Sequence, residues 1–268
     1  LGSNPDALQS LRDGEDKVTT TGDAELCEAT RAGEASRVLA LVDDGPERLR
    51  ARDPAGASLL HVAAERDDVE LARGLLERGA DPEAESGWGQ TAFEWAANMG
   101  SASVAELLLA RGAGRHTLWT AAALGRVDEV AALLEGRPEG ADRHAAPAGR
   151  ASSAGTDLTG WPEETAFRRG DSLSDAFYIA CRNGHLRIAR TLADAGADLG
   201  AKGYFGASAL HWAALGGHVE VVRWLLSAGA PPGDPDPRFD ATPAGWAREG
   251  GHADLAELLE RAARDGSA

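Results

Sequence analysis

Apolar residues in this chain recur at helical spacing in short segments, and the segments come in pairs. In Val219-Glu220-Val221-Val222-Arg223-Trp224-Leu225-Leu226 the apolar positions cover one face of a helix. The stretch before it, Ser208-Ala209-Leu210-His211-Trp212-Ala213-Ala214-Leu215-Gly216-Gly217-His218, opens on a hydroxyl residue suited to a helix start. It then runs through small and apolar residues and stops at a glycine pair. The same frame returns 34 residues later as Thr242-Pro243-Ala244-Gly245-Trp246-Ala247-Arg248-Glu249-Gly250-Gly251-His252. The predicted unit is a helix, a break, a second helix and a closing turn such as Gly229-Ala230.

With the residue that opens this frame as anchor, equivalent positions fall at Ala24, Ser58, Thr91, His116, Asp175, Ser208 and Thr242. Subtraction gives spacings of 34, 33, 25, 59, 33 and 34. Paired small residues, Ala63-Ala64, Ala96-Ala97, Ala121-Ala122 and Ala213-Ala214, let neighbouring first helices approach closely, while leucines of the second helices fill the space between units. One hairpin of this size cannot bury its own apolar surface, so stability has to come from stacking on neighbours. Gly79, Gly112, Gly196 and Gly229 lie just past leucine runs, where a left-handed residue ends a helix.

These frames resemble the ankyrin family, whose Thr-Pro-Leu-His-x-Ala signature is echoed by Ser58-Leu59-Leu60-His61-Val62-Ala63 and by the frame at Ser208; only Thr242-Pro243 keeps the Thr-Pro pair. The resemblance extends over about 23–263. Phe177-Tyr178-Ile179-Ala180-Cys181-Arg182-Asn183-Gly184-His185 and Lys202-Gly203-Tyr204-Phe205-Gly206 are similar to runs in bacterial ankyrin proteins. The resemblance implies an all-α ankyrin-repeat solenoid of about seven helix-turn-helix repeats, with short hairpin fingers and one insertion after the fourth repeat. Repeats one to four are expected over 23–136, an insertion over 137–174, repeats five to seven over 175–263, and a tail over 264–268. The first 22 residues show no repeat and read as a flexible terminus or polar cap, with Leu1-Gly2-Ser3 resembling an expression scar.

Two spacings break the period, and both flank the fourth repeat. The short step leaves Ala113-Gly114-Arg115-His116 without most of the finger that joins adjacent repeats, and the long step carries about 26 extra residues by subtraction. The insertion is rich in Pro, Gly, Ala and Ser from Pro138 to Gly155. Pro162-Glu163-Glu164 then predicts a short helix to about Arg168. It reads either as a flap anchored by Trp161 and Phe167 over the concave groove or as a mobile linker.

Composition narrows the function. A chain with 43% hydrophobic and 26% charged residues buries a core. No run reaches the roughly 18 apolar residues of a membrane span, and no basic region precedes an apolar run at the N-terminus. Cys27 and Cys181 form no disulfide framework, so a cytoplasmic location is expected. A net charge of −16 opposes approach to nucleic acid and anionic lipid and favours partners with neutral or basic surfaces.

Candidate chemistry is sparse. His185, His211, His218 and His252 invite a metal reading, yet His61 and His211 hold the signature position that braces neighbouring loops, and the other three follow a helix-breaking glycine. No nucleophile elbow, Cys-His signature or phosphate loop is present. A carboxylate pair could be assembled from Glu163 and Glu164 facing Glu94, but so many acidic residues make such pairs by chance, and an acidic helix start explains the first two better. No cofactor or metal is expected. Trp95, Trp212 and Trp246 share one repeat position, with Trp119 nearby, and read as a structural ladder; Trp224 and Cys181 read as core.

The positions the family leaves free are the finger tips and the ends of the first helices. They hold Trp88, Gln90, Tyr204, Phe205, Arg238 and Phe239 on the fingers, and Met99, Leu124, Arg182 and Leu215 on the helices; Trp161 joins them from the insertion. Exposed aromatics and arginines are the residue types that concentrate binding energy at interfaces. The sequence thus predicts a monomeric, non-catalytic scaffold that recognises a protein through its concave face and fingers. The alternative is a small-molecule-binding protein or unusual enzyme with a pocket at the irregular fourth repeat.

Overall fold

Capped short helices with small residues on one face dictate a stack of hairpins, and the computed structural model has that architecture. It describes residues 24–53, 56–87, 89–135, 172–200, 202–203 and 206–265. Fourteen α-helices occur among the described residues, with no strands beyond three isolated bridges. The chain divides into two compact units that meet in sequence between His116 and Thr117.

The N-terminal unit contains α1 (Ala24–Ala32), α2 (Ala35–Asp44), a 3-10 helix η1 (Pro46–Arg50), α3 (Leu59–Glu65), α4 (Val69–Glu77), α5 (Ala92–Met99) and α6 (Ala102–Ala110). Each odd helix pairs with the even helix after it, α3 packs on α5, and α4 packs between α2 and α6. Ala63, Ala64, Ala96 and Ala97 are wholly buried, as are Leu75 and Leu108 of the second helices. Gly74 shows how close the second helices lie, since a β-carbon there would sit 2.4 Å from a methyl of Leu39.

The C-terminal unit contains α7 (Leu118–Ala123), α8 (Val127–Glu135), α9 (Ser172–Arg182), α10 (Leu186–Asp194), α11 (Ala209–Leu215), α12 (Val219–Ser227), α13 (Pro243–Glu249) and α14 (Ala253–Asp265). The first helices stack in the order α7, α9, α11, α13, so the hairpin that follows the long step packs directly on the one that precedes it. Asn183 donates to the Ala123 carbonyl at 2.9 Å and His185 Nε2 bonds to the same oxygen at 3.0 Å.

The glycines expected to end the second helices do so, with φ of +87° at Gly79 and +97° at Gly196. Hairpin fingers close through the bridges Arg52–Ser58, Glu85–Thr91 and Lys202–Ser208. The link between α6 and α7 has no such bridge, and its Gly114 lies against the Phe93 ring, where a β-carbon would approach to 2.4 Å. Two expected anchors move. α7 is capped by Thr117 rather than His116, with Thr117 N–H donating to Thr120 Oγ1 at 2.8 Å and Thr120 N–H to Thr117 Oγ1 at 3.1 Å. α9 begins at Ser172, ahead of Asp175, which is buried inside it. The segments 1–22 and 137–171, including the helix expected at 162–168, lie outside the described residues.

Candidate protein-recognition face

Each first helix ends at a left-handed residue, and the one or two residues before it project from the stack. Their placement depends on how the helix is held at its other end. In α3, Ser58 N–H donates to His61 Nδ1 at 3.1 Å, which places the ring proton on Nε2, and that proton is donated to the Gln90 carbonyl of the next finger at 2.8 Å. His211 repeats the arrangement in α11, with Ser208 Oγ at 2.8 Å and the Ala241 carbonyl at 3.2 Å. Burial lowers the pKa of both rings to about 4, so both are neutral at neutral pH. Glu94 stands in this position in α5 and accepts from Thr91 N–H at 2.9 Å, so it serves as a capping group. Glu163 and Glu164 lie outside the described residues.

The breaks between helices carry a second set of histidines. His218 Nε2 bonds to the Arg182 carbonyl at 2.9 Å, and burial lowers the pKa of His185 and His218. Among the described residues no cluster of three or more His, Cys, Asp or Glu is placed to hold a metal ion. The tryptophans pack as rungs. Trp212 and Trp246 meet edge to face at 4.9 Å, and Trp95 meets His61 at 5.4 Å. Cys181 is fully buried, whereas Trp224 is only partly covered and lies 6.1 Å from Phe177.

On this frame, Met99 at the end of α5 is 43% exposed; among the described residues it and Val219 are the large hydrophobic side chains left in solvent. Glu65 and Arg66 are exposed at the matching end of α3. In the C-terminal unit Leu124, Arg182 and Leu215 are half-buried at helix ends. The Arg182 guanidinium lies 4.3 Å over the Trp212 ring, a cation–π contact that braces it. Gln90 is half-buried and Arg238 exposed. Trp88, Trp161, Tyr204 and Phe205 lie outside the described residues.

Three copies of a family model described as ankyrin repeats match this chain, over 26–117, 60–146 and 164–236. The chain belongs to the ankyrin repeat family. Ankyrin repeats generally serve as scaffolds for contacts between proteins, and the helix ends and fingers described above are the positions at which members can differ without disturbing the stack.

Phe239 requires a correction to the expected surface. It is buried, with its ring 6.0 Å from that of Trp246, because the last loop winds around the carboxylate of Asp236. Asp236 is itself buried and accepts from Arg238 N–H at 2.9 Å, Phe239 N–H at 2.7 Å and Trp246 Nε1 at 2.9 Å. The sequence carries a signal for this in Asp236-Pro237-Arg238, an acidic residue able to accept from the backbone two positions on. Asp67 is a second residue that the repeat pattern hides. It takes the left-handed position at φ +52° and reaches the following hairpin, where its carboxylate accepts from Val104 N–H and Ser103 Oγ, each at 2.8 Å.

Proposed function

We propose that this ankyrin protein binds another protein through the ends of its first helices and the adjoining loops, without catalysing a reaction. The observation that supports this most is Met99. A thioether side chain left 43% in solvent, at a helix end where the fold needs no apolar residue, contributes to stability chiefly when a partner covers it. Arg182, braced on Trp212, supplies a second anchor of a type enriched in binding hot spots. Exposed Asp81, Glu83 and Glu85 on the finger before α5, within a chain of net charge −16, favour a partner with a neutral or basic surface. Buried Cys27 and Cys181, neither in a disulfide, suit a protein working in a reducing cytoplasm.

The test is affinity capture from a lysate of the source organism, comparing the natural chain with Met99→Glu and Arg182→Glu. A protein recovered by the natural chain and lost by either variant, with thermal melts unchanged, supports the reading. Equal recovery by all three chains would overturn it.

A further inference from the structure

In the N-terminal unit a cleft of about 410 Å³ lies between η1 and the turn that follows α4, a volume within the range of small-ligand sites. Its lining includes Glu47, Leu49 and Arg50 of η1, Arg52 at the finger bridge, and Asp81 and Ala84 of the turn. Three other arginines of this unit meet carboxylates. Arg37 bonds to Glu34 and Glu25, Arg48 pairs with Asp44, and Arg78 pairs with Asp43.

Arg50 and Arg52 differ. Among the described residues neither meets a carboxylate, although Glu47 and Asp81 line the same cleft and the chain is rich in acid. Arg52 spends one donor on the Ala51 carbonyl at 3.2 Å and keeps the rest. Arg73 and Arg111 are exposed like Arg50 but lie outside this cleft. The cleft therefore holds two cations and two anions beside half-buried Leu49, with Glu47, Arg50 and Asp81 exposed at its mouth and Arg52 half-buried, and with the Asp81 carboxylate also accepting Glu83 N–H at 3.0 Å.

The complement of that arrangement is a molecule carrying a carboxylate and a cation a few bonds apart. We infer that the cleft binds an α-carboxylate bearing a basic side chain, as presented by the C-terminus of a peptide ending in lysine or arginine. The guanidinium forks of Arg50 and Arg52 take the carboxylate, which is the anion their planar donors match. Glu47 and Asp81 take the cationic side chain, and its methylenes rest on Leu49. A free basic amino acid offers the same chemistry and is distinguished below.

The experiment titrates the full chain into a fluorescein-labelled hexapeptide ending in lysine and reads anisotropy. The free-acid peptide should bind at least about tenfold more tightly than its C-terminal amide, the loss expected when a charge-assisted contact is removed. Arg50→Gln with Arg52→Gln should erase that preference, and Ala84→Trp should exclude both peptides by filling the cleft. Circular dichroism melts confirm that the variants fold. Displacement by free lysine at the peptide's own potency assigns the site to the amino acid, and weak displacement assigns it to a chain end. Equal binding of acid and amide, no binding of either, or a preference that survives in the double arginine variant would overturn the inference. Met99→Glu should bind the peptide as the natural chain does, so this result stands or falls apart from the recognition face.

Discussion

Acidification from about pH 7.5 to about pH 5 should destabilise the N-terminal unit through His61, by an amount the structure sets. Burial holds this imidazole at about 4 in the fold, against 6.5 when exposed. The ring is needed neutral, because its Nδ1 accepts Ser58 N–H while its Nε2 bonds the Gln90 carbonyl. Its folded pKa is depressed, so between these two values the unfolded chain binds more protons. Stability is therefore full above 6.5 and falls as the pH drops toward 4.

At about pH 5 the unfolded imidazole is almost entirely protonated and the folded one almost entirely neutral. The linkage integral then amounts to about 2 kcal/mol. Asp43 adds nothing over the same interval, because its hydrogen bonds from Arg78 hold its carboxyl below the usual carboxylate range. The assay is urea unfolding followed by circular dichroism at several pH values, for the natural chain and for His61→Asn. An asparagine carbonyl can accept Ser58 N–H but cannot titrate. The variant should start less stable and then lose about 2 kcal/mol less than the natural chain on acidification. Parallel pH profiles for the two proteins would refute the assignment.

Other substitutions probe single contacts. Asp236→Ala should cost about 3–5 kcal/mol, because it strands backbone and indole donors inside the last loop, and it should lower the calorimetric Tm by several degrees. Gly203→Ala should destabilise the C-terminal unit, since the added carbon would lie 2.0 Å from the Tyr178 ring. Combining it with Tyr178→Ala should recover part of that loss in a double-mutant cycle. Thr117→Ala should cost about 1 kcal/mol in urea unfolding, the usual value of an N-cap, while His116→Ala should change stability by less than about 0.5 kcal/mol.

The fold was legible because the signals repeat. A capping hydroxyl, paired alanines, a break, a leucine pair and a left-handed glycine define a hairpin even when each copy is degenerate, and their agreement in register excludes other periods. Register slipped where local geometry departs from the average. Counting back from Gly125 points to His116, but α7 has six residues where α3 has seven, so the cap falls on Thr117. Aromatic residues on the fingers were the harder case. Phe239 at a loop tip and Phe239 beneath one have the same sequence, and only the folding of the chain around Asp236 turns the ring inward. Met99 was readable as a surface position because it sits one residue before the left-handed Gly100, where the repeat demands no apolar group.

Asp67 bears on how the N-terminal unit comes apart. It fastens the second hairpin to the third through two hydrogen bonds, one exposed and one half-buried, and His61 adds a third tie to the same junction. The junction between the first and second hairpins has Cys27 where the next has His61, and it carries the exposed ion pair between Arg78 and Asp43, a kind of contact that adds little. A stack of hairpins behaves as a line of coupled units, so it opens where the coupling is weakest. Amide protons of α1 and α2 should therefore exchange with solvent as one early group, while those of α3 to α6 hold together and exchange only when both hairpins are lost at once.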